Sequence, residues 1–171
     1  MRKPDFTHAE LVERLSYDPE TGEFRWRPNP AMNATWNSRF AGAKAGTMAA
    51  GRLSIRLNYR RYFAHRLAWF YMTGEWPEYE IDHANCDPSD NRFSNLRLAS
   101  RGQNAANIRT PRHNTSGRKG VTWDRTSGKW LAFAWTGGRF RNLGRYDTKE
   151  EASGAYMRHM AGLYGPYARA A

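Results

Sequence analysis

A turn-rich stretch in the middle of the chain constrains the fold most strongly, because it leaves room only for short elements. Glu80–His83 and Leu96–Leu98 have the residue pattern of short strands. Between them, Asp87–Asn91 is dense in turn-forming residues. Ser100 and Gln103 then form a capping box, which begins a helix. Strand, loop, strand and helix in such a short stretch predict a compact ββα unit.

Four side chains of this stretch suit phosphodiester hydrolysis. Asp82 and Asn104 offer oxygen donors for one hard divalent cation, Mg²⁺ or Mn²⁺. His83 has an ordinary pKa near ~6.5, which suits a base that takes a proton from water. Asn95 offers an acceptor for the other imidazole N–H. Neighbouring residues of a strand face opposite sides, so Asp82 and His83 share a site only if the strand ends or twists there.

The charge pattern predicts a polyanionic partner. The chain carries 27 Lys and Arg against 16 Asp and Glu, a formal net charge of +11. Nine basic residues and no acid lie between Glu23 and Glu75, and seven more lie between Asp90 and Asp124. A solvated surface usually mixes both signs, so these stretches favour contact with nucleic acid. An anionic membrane surface is the competing interpretation, but the sequence contains no amphipathic basic helix.

Cysteine usage and hydropathy predict a cytoplasmic protein. Cys86 is the only cysteine, which excludes a disulfide within the chain and a zinc ribbon of paired cysteines. The first residues lack the apolar region of a secretory signal. The longest apolar run, Leu67–Met72, is too short to span a bilayer.

Residues 1–59 are expected to form an N-terminal extension. Thr7 and Glu10 make a capping box that begins a helix. The following expected elements are a turn at Tyr17–Gly22, a strand at Phe24–Trp26, a long irregular connection over 28–51 and a strand at Leu53–Leu57. A helix over about 64–72 is expected after the extension.

The end of the chain predicts a second module. Residues 109–117 have linker composition. Strands are expected at Gly120–Trp123, Lys129–Trp135 and Arg139–Leu143, followed by a helix that begins with the capping box Thr148–Glu151. The predicted class is α+β, with a three-stranded antiparallel sheet packed on one helix in residues 118–171.

Residues 60–108 resemble HNH endonucleases of the phage and intron homing type. The resemblance rests on these motifs: His65–Trp69, Gly74–Pro77, Ile81–His83, Asp90–Arg92, Asn95–Arg97 and Gln103–Asn104. It implies that His83 is the general base, that Asp82 and Asn104 hold one metal ion, and that Asn95 orients the histidine. Arg92 and Arg97 become candidate phosphate contacts. Zinc-containing relatives carry paired cysteines, so no structural zinc is expected here, and His65 is interpreted as a structural histidine.

Residues 116–169 resemble the AP2/ERF DNA-binding domain, which lays a three-stranded sheet into the major groove. The motifs include Gly120–Val121, Gly128–Trp130, Leu143–Gly144 and Tyr146–Ala152. The candidate DNA contacts are Arg118, Lys119, Thr122, Arg125, Lys129, Trp135, Arg139, Arg141 and Arg145. The middle strand carries Phe133 and Trp135 where plant domains carry Glu and Arg, so sequence preference does not transfer.

The sequence therefore predicts a two-module, metal-dependent endonuclease acting on double-stranded DNA, most simply as a monomer. A catalytically silent DNA-binding regulator and a basic RNA-binding protein are the alternatives. The sequence does not tell whether the protein cuts one DNA strand or both. It also leaves open whether the protein serves homing, packaging or attack on host DNA. If a phage encodes the chain, the compartment is the host cytoplasm.

Overall fold

A computed structural model describes residues 3–49, 51–110 and 113–169. The chain divides into two compact units, with the boundary between Leu98 and Ala99. Both units combine helices with small sheets, and the antiparallel pairings confirm the α+β class expected from the sequence. Within the described ranges, no helix is both long enough and apolar enough to cross a membrane.

The first unit contains three small sheets and three helices among its described residues. In chain order its elements are α1 (His8–Arg14), β1 (Leu15–Asp18), β2 (Glu23–Trp26), α2 (Ala34–Phe40), β3 (Thr47–Ala49), β4 (Arg52–Leu57), β5 (Arg60–Phe63), α3 (Ala64–Thr73), β6 (Glu80–His83), a 3₁₀ turn (Phe93–Asn95) and β7 (Leu96–Ala99), which ends at the boundary. Strands β1 and β2 form a hairpin, β3, β4 and β5 form a sheet in that order, and β6 pairs with β7.

One hydrophobic core holds the hairpin, the three-stranded sheet and α3 together. Its largest fully buried side chains are Leu11, Leu15, Phe24, Ile55 and Leu67. They come from five different elements, and burial of each such side chain stabilises the fold by about 1.5–3 kcal/mol. The core therefore depends on contacts between segments that are far apart in the sequence.

Helix α1 begins at the expected capping box and ends at Arg14. Thr7 accepts a hydrogen bond from the Glu10 backbone N–H, and the Glu10 carboxylate accepts one from the Thr7 N–H, which confirms the capping box. Leu15 has extended backbone angles and is the first residue of β1. Its side chain is buried in the core from a strand position.

Residues 28–51, expected to be an irregular connection, contain helix α2 and strand β3. Asn33 caps α2 by accepting a hydrogen bond from the Trp36 N–H at 2.8 Å. The segment lacks the apolar periodicity that marks a core helix, because no residue of α2 is buried in the core. A sequence pattern therefore could not indicate this helix. Its aromatic contact is local to this region, where the rings of Trp36 and Trp26 meet edge to face at 5.8 Å.

The β1–β2 hairpin contacts the loop that joins β6 to the 3₁₀ turn, residues 84–92, here called the β6 loop. The buried Tyr17 hydroxyl donates to the Asn91 carbonyl at 2.7 Å. The Phe93 N–H, just after the loop, donates to the Pro19 carbonyl at 3.0 Å. Burial raises the pKa of Tyr17, so the hydroxyl keeps the proton that it donates. These two bonds attach the hairpin to the loop.

The hairpin turn contacts the loop so closely that only glycine fits. Gly22 has φ +73°, and a Cβ at this position would lie 2.5 Å from the backbone nitrogen of Arg92 and the carbonyl carbon of Asn91. Both the left-handed backbone and the close approach require a residue without a side chain. Gly22 is therefore part of the support of the β6 loop.

The second unit contains the predicted sheet and helix. Its elements are α4 (Arg101–Asn107), β8 (Val121–Asp124), β9 (Lys129–Thr136), β10 (Arg139–Tyr146), α5 (Lys149–Tyr164) and a 3₁₀ turn (Gly165–Tyr167). The antiparallel strand order is β10-β9-β8. Ala132 packs with Ala152 and Ala155 of α5, and the capping box Thr148–Glu151 begins that helix.

Helix α4 packs within this second unit. Ala106 of α4 clusters with Ala134, Tyr156 and Met160. The Lys119 amine donates to the Ala106 carbonyl at 2.7 Å. The domain boundaries expected from the sequence stay predictions, and residues 111 and 112 of the expected linker lie outside the described residues.

The contact of Gly22 can be tested against a glycine of the same conformation. Gly74 has φ +74°, and a Cβ there would meet no atom within 4 Å. We expect Gly74→Ala to lower the free energy of unfolding by about 1–2 kcal/mol, the cost of a left-handed alanine. Gly22→Ala should lose roughly 1–3 kcal/mol more, because its Cβ overlaps the loop backbone. Urea unfolding measures both, and equal losses would contradict the close contact.

Candidate active site

His83 is the last residue of β6, and its side chain is buried, with 8% of the residue exposed. The strand ends there because a turn follows, in which the Cys86 N–H donates to the His83 carbonyl at 2.9 Å. This is the strand end that the sequence required for Asp82 and His83 to share a site.

Asn91 of the β6 loop contacts the His83 imidazole. Its Oδ1 lies 3.4 Å from Nε2 of His83, and its Nδ2 donates to the Ser89 carbonyl at 3.1 Å. Because the amide nitrogen faces Ser89, the amide oxygen faces the histidine and accepts from Nε2–H. The neutral imidazole then carries its proton on Nε2, and Nδ1 is its basic nitrogen.

His65, at the start of α3, forms one wall around His83. The two imidazole rings meet edge to face with their centroids 5.1 Å apart. The other side of His65 stacks on Phe63 at 5.5 Å. Burial, and then the positive charges of His83, Arg52 and Arg66, lower the pKa of His65 to about 3. His65 is therefore uncharged near neutral pH.

The pKa of His83 is also lowered, and burial is the main cause. The contact with Asn91 and the negative charges of Asp82 and Asp90 act in the opposite direction, because they favour the imidazolium. Arg52 adds to the lowering. Near neutral pH the imidazole is therefore neutral and able to accept a proton.

Asp82, with only 4% of the residue exposed, pairs with an arginine of the neighbouring strand. Nε and Nη2 of Arg97 each lie 2.8 Å from Oδ2 of Asp82. A buried carboxylate without such a partner would be costly. Arg97, a predicted phosphate contact, therefore compensates the charge of Asp82 in this structure.

Asn95 holds the β6 loop together. Its Oδ1 accepts from the Asn85 N–H at 3.0 Å, and its Nδ2 donates to Oδ1 of Asn85 and to the Asp90 carbonyl. The amide that meets His83 is instead that of Asn91, only 2% exposed, which sequence reasoning did not single out. Asn91 lies within the motif Asp90–Arg92. Asparagine is a common turn-forming residue, so its presence in this turn did not indicate a contact with the histidine.

Arg92 contributes to the same loop. Its Nε and Nη2 donate to the two carboxylate oxygens of Asp90 at 2.8 and 2.6 Å. Arg92 lowers the pKa of Asp90 to about 2. The Arg92 guanidinium is about half exposed, so a phosphate can still approach it.

Asn104, the second predicted metal ligand, lies in the first turn of α4 in the second unit. Its N–H donates to the Ser100 carbonyl at 2.9 Å, as expected in a capped helix. Carboxylate and amide oxygens suit a hard cation, so the chemistry of Asp82 and Asn104 fits the predicted pair. The part of the chain that the structure describes contains no group of three or more His, Cys, Asp or Glu able to hold a metal.

The strand register of the second unit sorts its predicted DNA contacts. Ala132 and Ala134 of β9 are buried, so the alternating Leu131 and Trp135 face away from α5. Thr122 and Arg145 pair with Leu131 from the two flanking strands and share its face. Trp135, 67% exposed, lies on the same face.

The remaining predicted contacts differ in their availability. The predicted arginines of this unit are all exposed: Arg118, Arg125, Arg139, Arg141 and Arg145. Lys129 forms an ion pair with Asp147 at 3.1 Å, and Arg145 forms one with Asp124 at 2.7 Å. Lys119 is buried on the Ala106 carbonyl and acts as a structural residue in this unit.

Comparison with known proteins finds one family match and one curated relative. The model of a family described as HNH endonuclease matches residues 62–106, which include Asp82, His83, Asn95 and Asn104. The chain is similar to Protein 3.8 of Escherichia phage T7, with 32% identity over 120 residues that cover 67% of this chain and 98% of the relative. No solved structure matches.

The match at residues 62–106 confirms the HNH resemblance, whereas the AP2/ERF resemblance stays a prediction. The phage relative is covered over nearly its whole length, so the similarity is not restricted to one motif. The chain therefore belongs to the family of the phage T7 Protein 3.8 and contains an HNH endonuclease domain at residues 62–106.

Proposed function

We propose that this protein is a divalent-metal-dependent endonuclease that nicks or cuts double-stranded DNA, with His83 as the general base. The observation that carries the proposal is a buried imidazole with a lowered pKa, contacted by Asn91, inside an HNH endonuclease domain. The formal net charge of +11 supports DNA as the substrate.

In the proposed reaction, Nδ1 of His83 takes a proton from the attacking water. Asn91 keeps the other proton on Nε2, and Asn95 holds the loop from which Asn91 reaches the ring. Asp82 and Asn104 would hold the cation, Mg²⁺ or Mn²⁺. When bound, such a cation stabilises negative charge on the scissile phosphate and on the departing 3′ oxygen. The expected ends are a 5′-phosphate and a 3′-hydroxyl.

The second unit is proposed to target the nuclease in the manner of an AP2-like domain. Its support is the three-stranded sheet backed by α5 and the cations around that sheet. Of these, Arg118, Arg125, Arg139 and Arg141 are exposed and suit phosphate anchoring.

A second candidate function is a catalytically silent DNA-binding regulator. The pair between Arg97 and Asp82 favours it, because the guanidinium would compete with a cation for the carboxylate. Plasmid nicking separates the two candidates, since a regulator leaves supercoiled DNA intact.

Removal of the base should abolish cleavage. We expect His83→Ala to slow the nicking of supercoiled plasmid by about 10²–10⁴-fold, the usual contribution of a general base. DNA binding should remain, and EDTA should stop the wild type while added Mg²⁺ restores it. His113→Ala, at an exposed histidine of the second unit, is the control. Cleavage by His83→Ala at the wild-type rate would refute the mechanism, and EDTA-resistant cleavage would refute the metal.

The pH profile tests the protonation state. His83 acts as a base only when neutral, and its pKa lies below the ordinary value of 6.5, so activity should persist on acidification through pH 6.5 and decline only below it. Asn91→Ala removes a contact that favours the imidazolium, so the acidic limb should move to still lower pH while the rate falls. The measurement is kcat/KM against pH. A limb above 6.5, or an upward shift in the variant, would contradict this assignment.

Salt dependence tests the phosphate anchors. Arg139→Ala and Arg141→Ala should each reduce the slope of log affinity against log salt by about one unit. Lys119→Met should leave the slope unchanged, because the Lys119 amine is bound to the Ala106 carbonyl. Unchanged slopes in the arginine variants would argue against Arg139 and Arg141 as phosphate anchors.

A further inference from the structure

The first unit contains an aromatic cleft that the proposed reaction does not use. Its volume is about 530 Å³, within the usual range of small-ligand pockets. Trp26, Trp36, Phe40 and Tyr59 provide its aromatic surface. None of the predicted active-site residues lines the cleft.

One wall is helix α2, which directs its aromatic rings to the cleft. The ring of Trp36 lies 5.8 Å from that of Trp26 and 5.3 Å from that of Phe40. The helix is attached by an amide clasp, because Asn37 Oδ1 accepts from the Asn29 N–H at 2.8 Å and Asn37 Nδ2 donates to the Asn29 carbonyl at 2.9 Å. An aromatic helix without any buried residue therefore contributes to the cleft rather than to the core.

The opposite wall is the two-residue turn between β4 and β5, which has an unusual sequence. Asn58 and Tyr59 have φ +47° and +64°, and their flanking residues pair across the hairpin. Such turns strongly prefer Asn-Gly, and a bulky residue in this conformation costs roughly 1–2 kcal/mol. Tyr59 is also 91% exposed, so its ring is not held by the core. Backbone strain at an exposed aromatic residue points to a binding role.

The charges of the cleft select the class of ligand. The guanidinium of Arg56 lies 5.9 Å from the centre of the Tyr59 ring, and Nη1 of Arg14 donates to Oδ1 of Asn58 at 2.6 Å. Two arginines and no carboxylate line the cleft among the described residues. A cationic ligand is therefore disfavoured, whereas a flat ring attached to an anion matches both the aromatic surface and the charge.

We propose that the aromatic cleft binds an unpaired nucleobase of a DNA strand, with its backbone phosphate beside Arg56. The proposal rests on the proposed function only in taking DNA as the ligand. Stacking on aromatic rings tolerates every base, so this site would retain a single-stranded segment without reading its sequence.

Tyr59→Gly separates a binding role from a structural one. The substitution creates Asn-Gly, the preferred turn, so the unfolding midpoint should stay equal or rise. Affinity for a fluorescein-labelled oligothymidylate, measured by anisotropy in EDTA, should fall by about tenfold, as expected for loss of one stacked base. Tyr59→Phe keeps the ring and should bind like the wild type. Trp36→Leu removes a ring from the opposite wall and should weaken the same binding.

The outcomes distinguish this inference from the proposed function. The proposal that the cleft binds a nucleobase would be contradicted by wild-type affinity in both Tyr59→Gly and Trp36→Leu. It would also be contradicted if the wild type did not bind oligothymidylate. Equal losses on single strands and intact duplex would show a general backbone contact and would also overturn it. Plasmid nicking by the wild type reports separately on the nuclease. A protein that does not nick but shows the single-strand loss in Tyr59→Gly would refute only the proposed nuclease.

Discussion

The contact between the β1–β2 hairpin and the β6 loop is the constraint on which the candidate site depends. Tyr17 holds the Asn91 carbonyl, and Gly22 lets the two backbones meet. The side chain of the same Asn91 contacts His83, so the hairpin helps to position the Asn91 amide beside the imidazole. Paired cysteines around a zinc ion can stabilise a loop of this kind in other proteins. Here hydrogen bonds and close packing from the N-terminal extension do so, and the extension therefore helps to position the candidate site.

Burial and charge act against each other inside the site. Burial lowers the pKa of His83 and of His65, while the carboxylate of Asp82 favours protonation of His83. Arg97 compensates that carboxylate, so the strand pair β6–β7 carries an ion pair between the buried Asp82 and the partly buried Arg97 beside the neutral imidazole. Such a pair is tolerated because both partners are present, and loss of either one would leave a buried charge. The arrangement keeps a base, rather than an imidazolium, available near neutral pH.

Two strained or close backbone positions have different explanations. Gly22 occupies a left-handed position where packing excludes a side chain, so the structure accounts for it. Tyr59 occupies a left-handed position with its ring in solvent, so packing does not account for it. The aromatic cleft gives that ring a use, and it also explains why α2 has aromatic side chains without a buried face. The proposed base His83 and the aromatic cleft would then serve separate purposes within the first unit.

Elements that depend only on near neighbours along the chain could be predicted from the residue pattern. The capping boxes that begin at Thr7, Ser100 and Thr148 form as expected, because each joins residues only three positions apart. The motifs around His83 were likewise enough to identify the HNH domain, since residue type and spacing carry that signal. The contact of Asn91, rather than Asn95, with the imidazole could not be predicted in this way. Both are asparagines in a turn-rich stretch, and their roles differ because the distant hairpin fixes how the β6 loop folds over the strand.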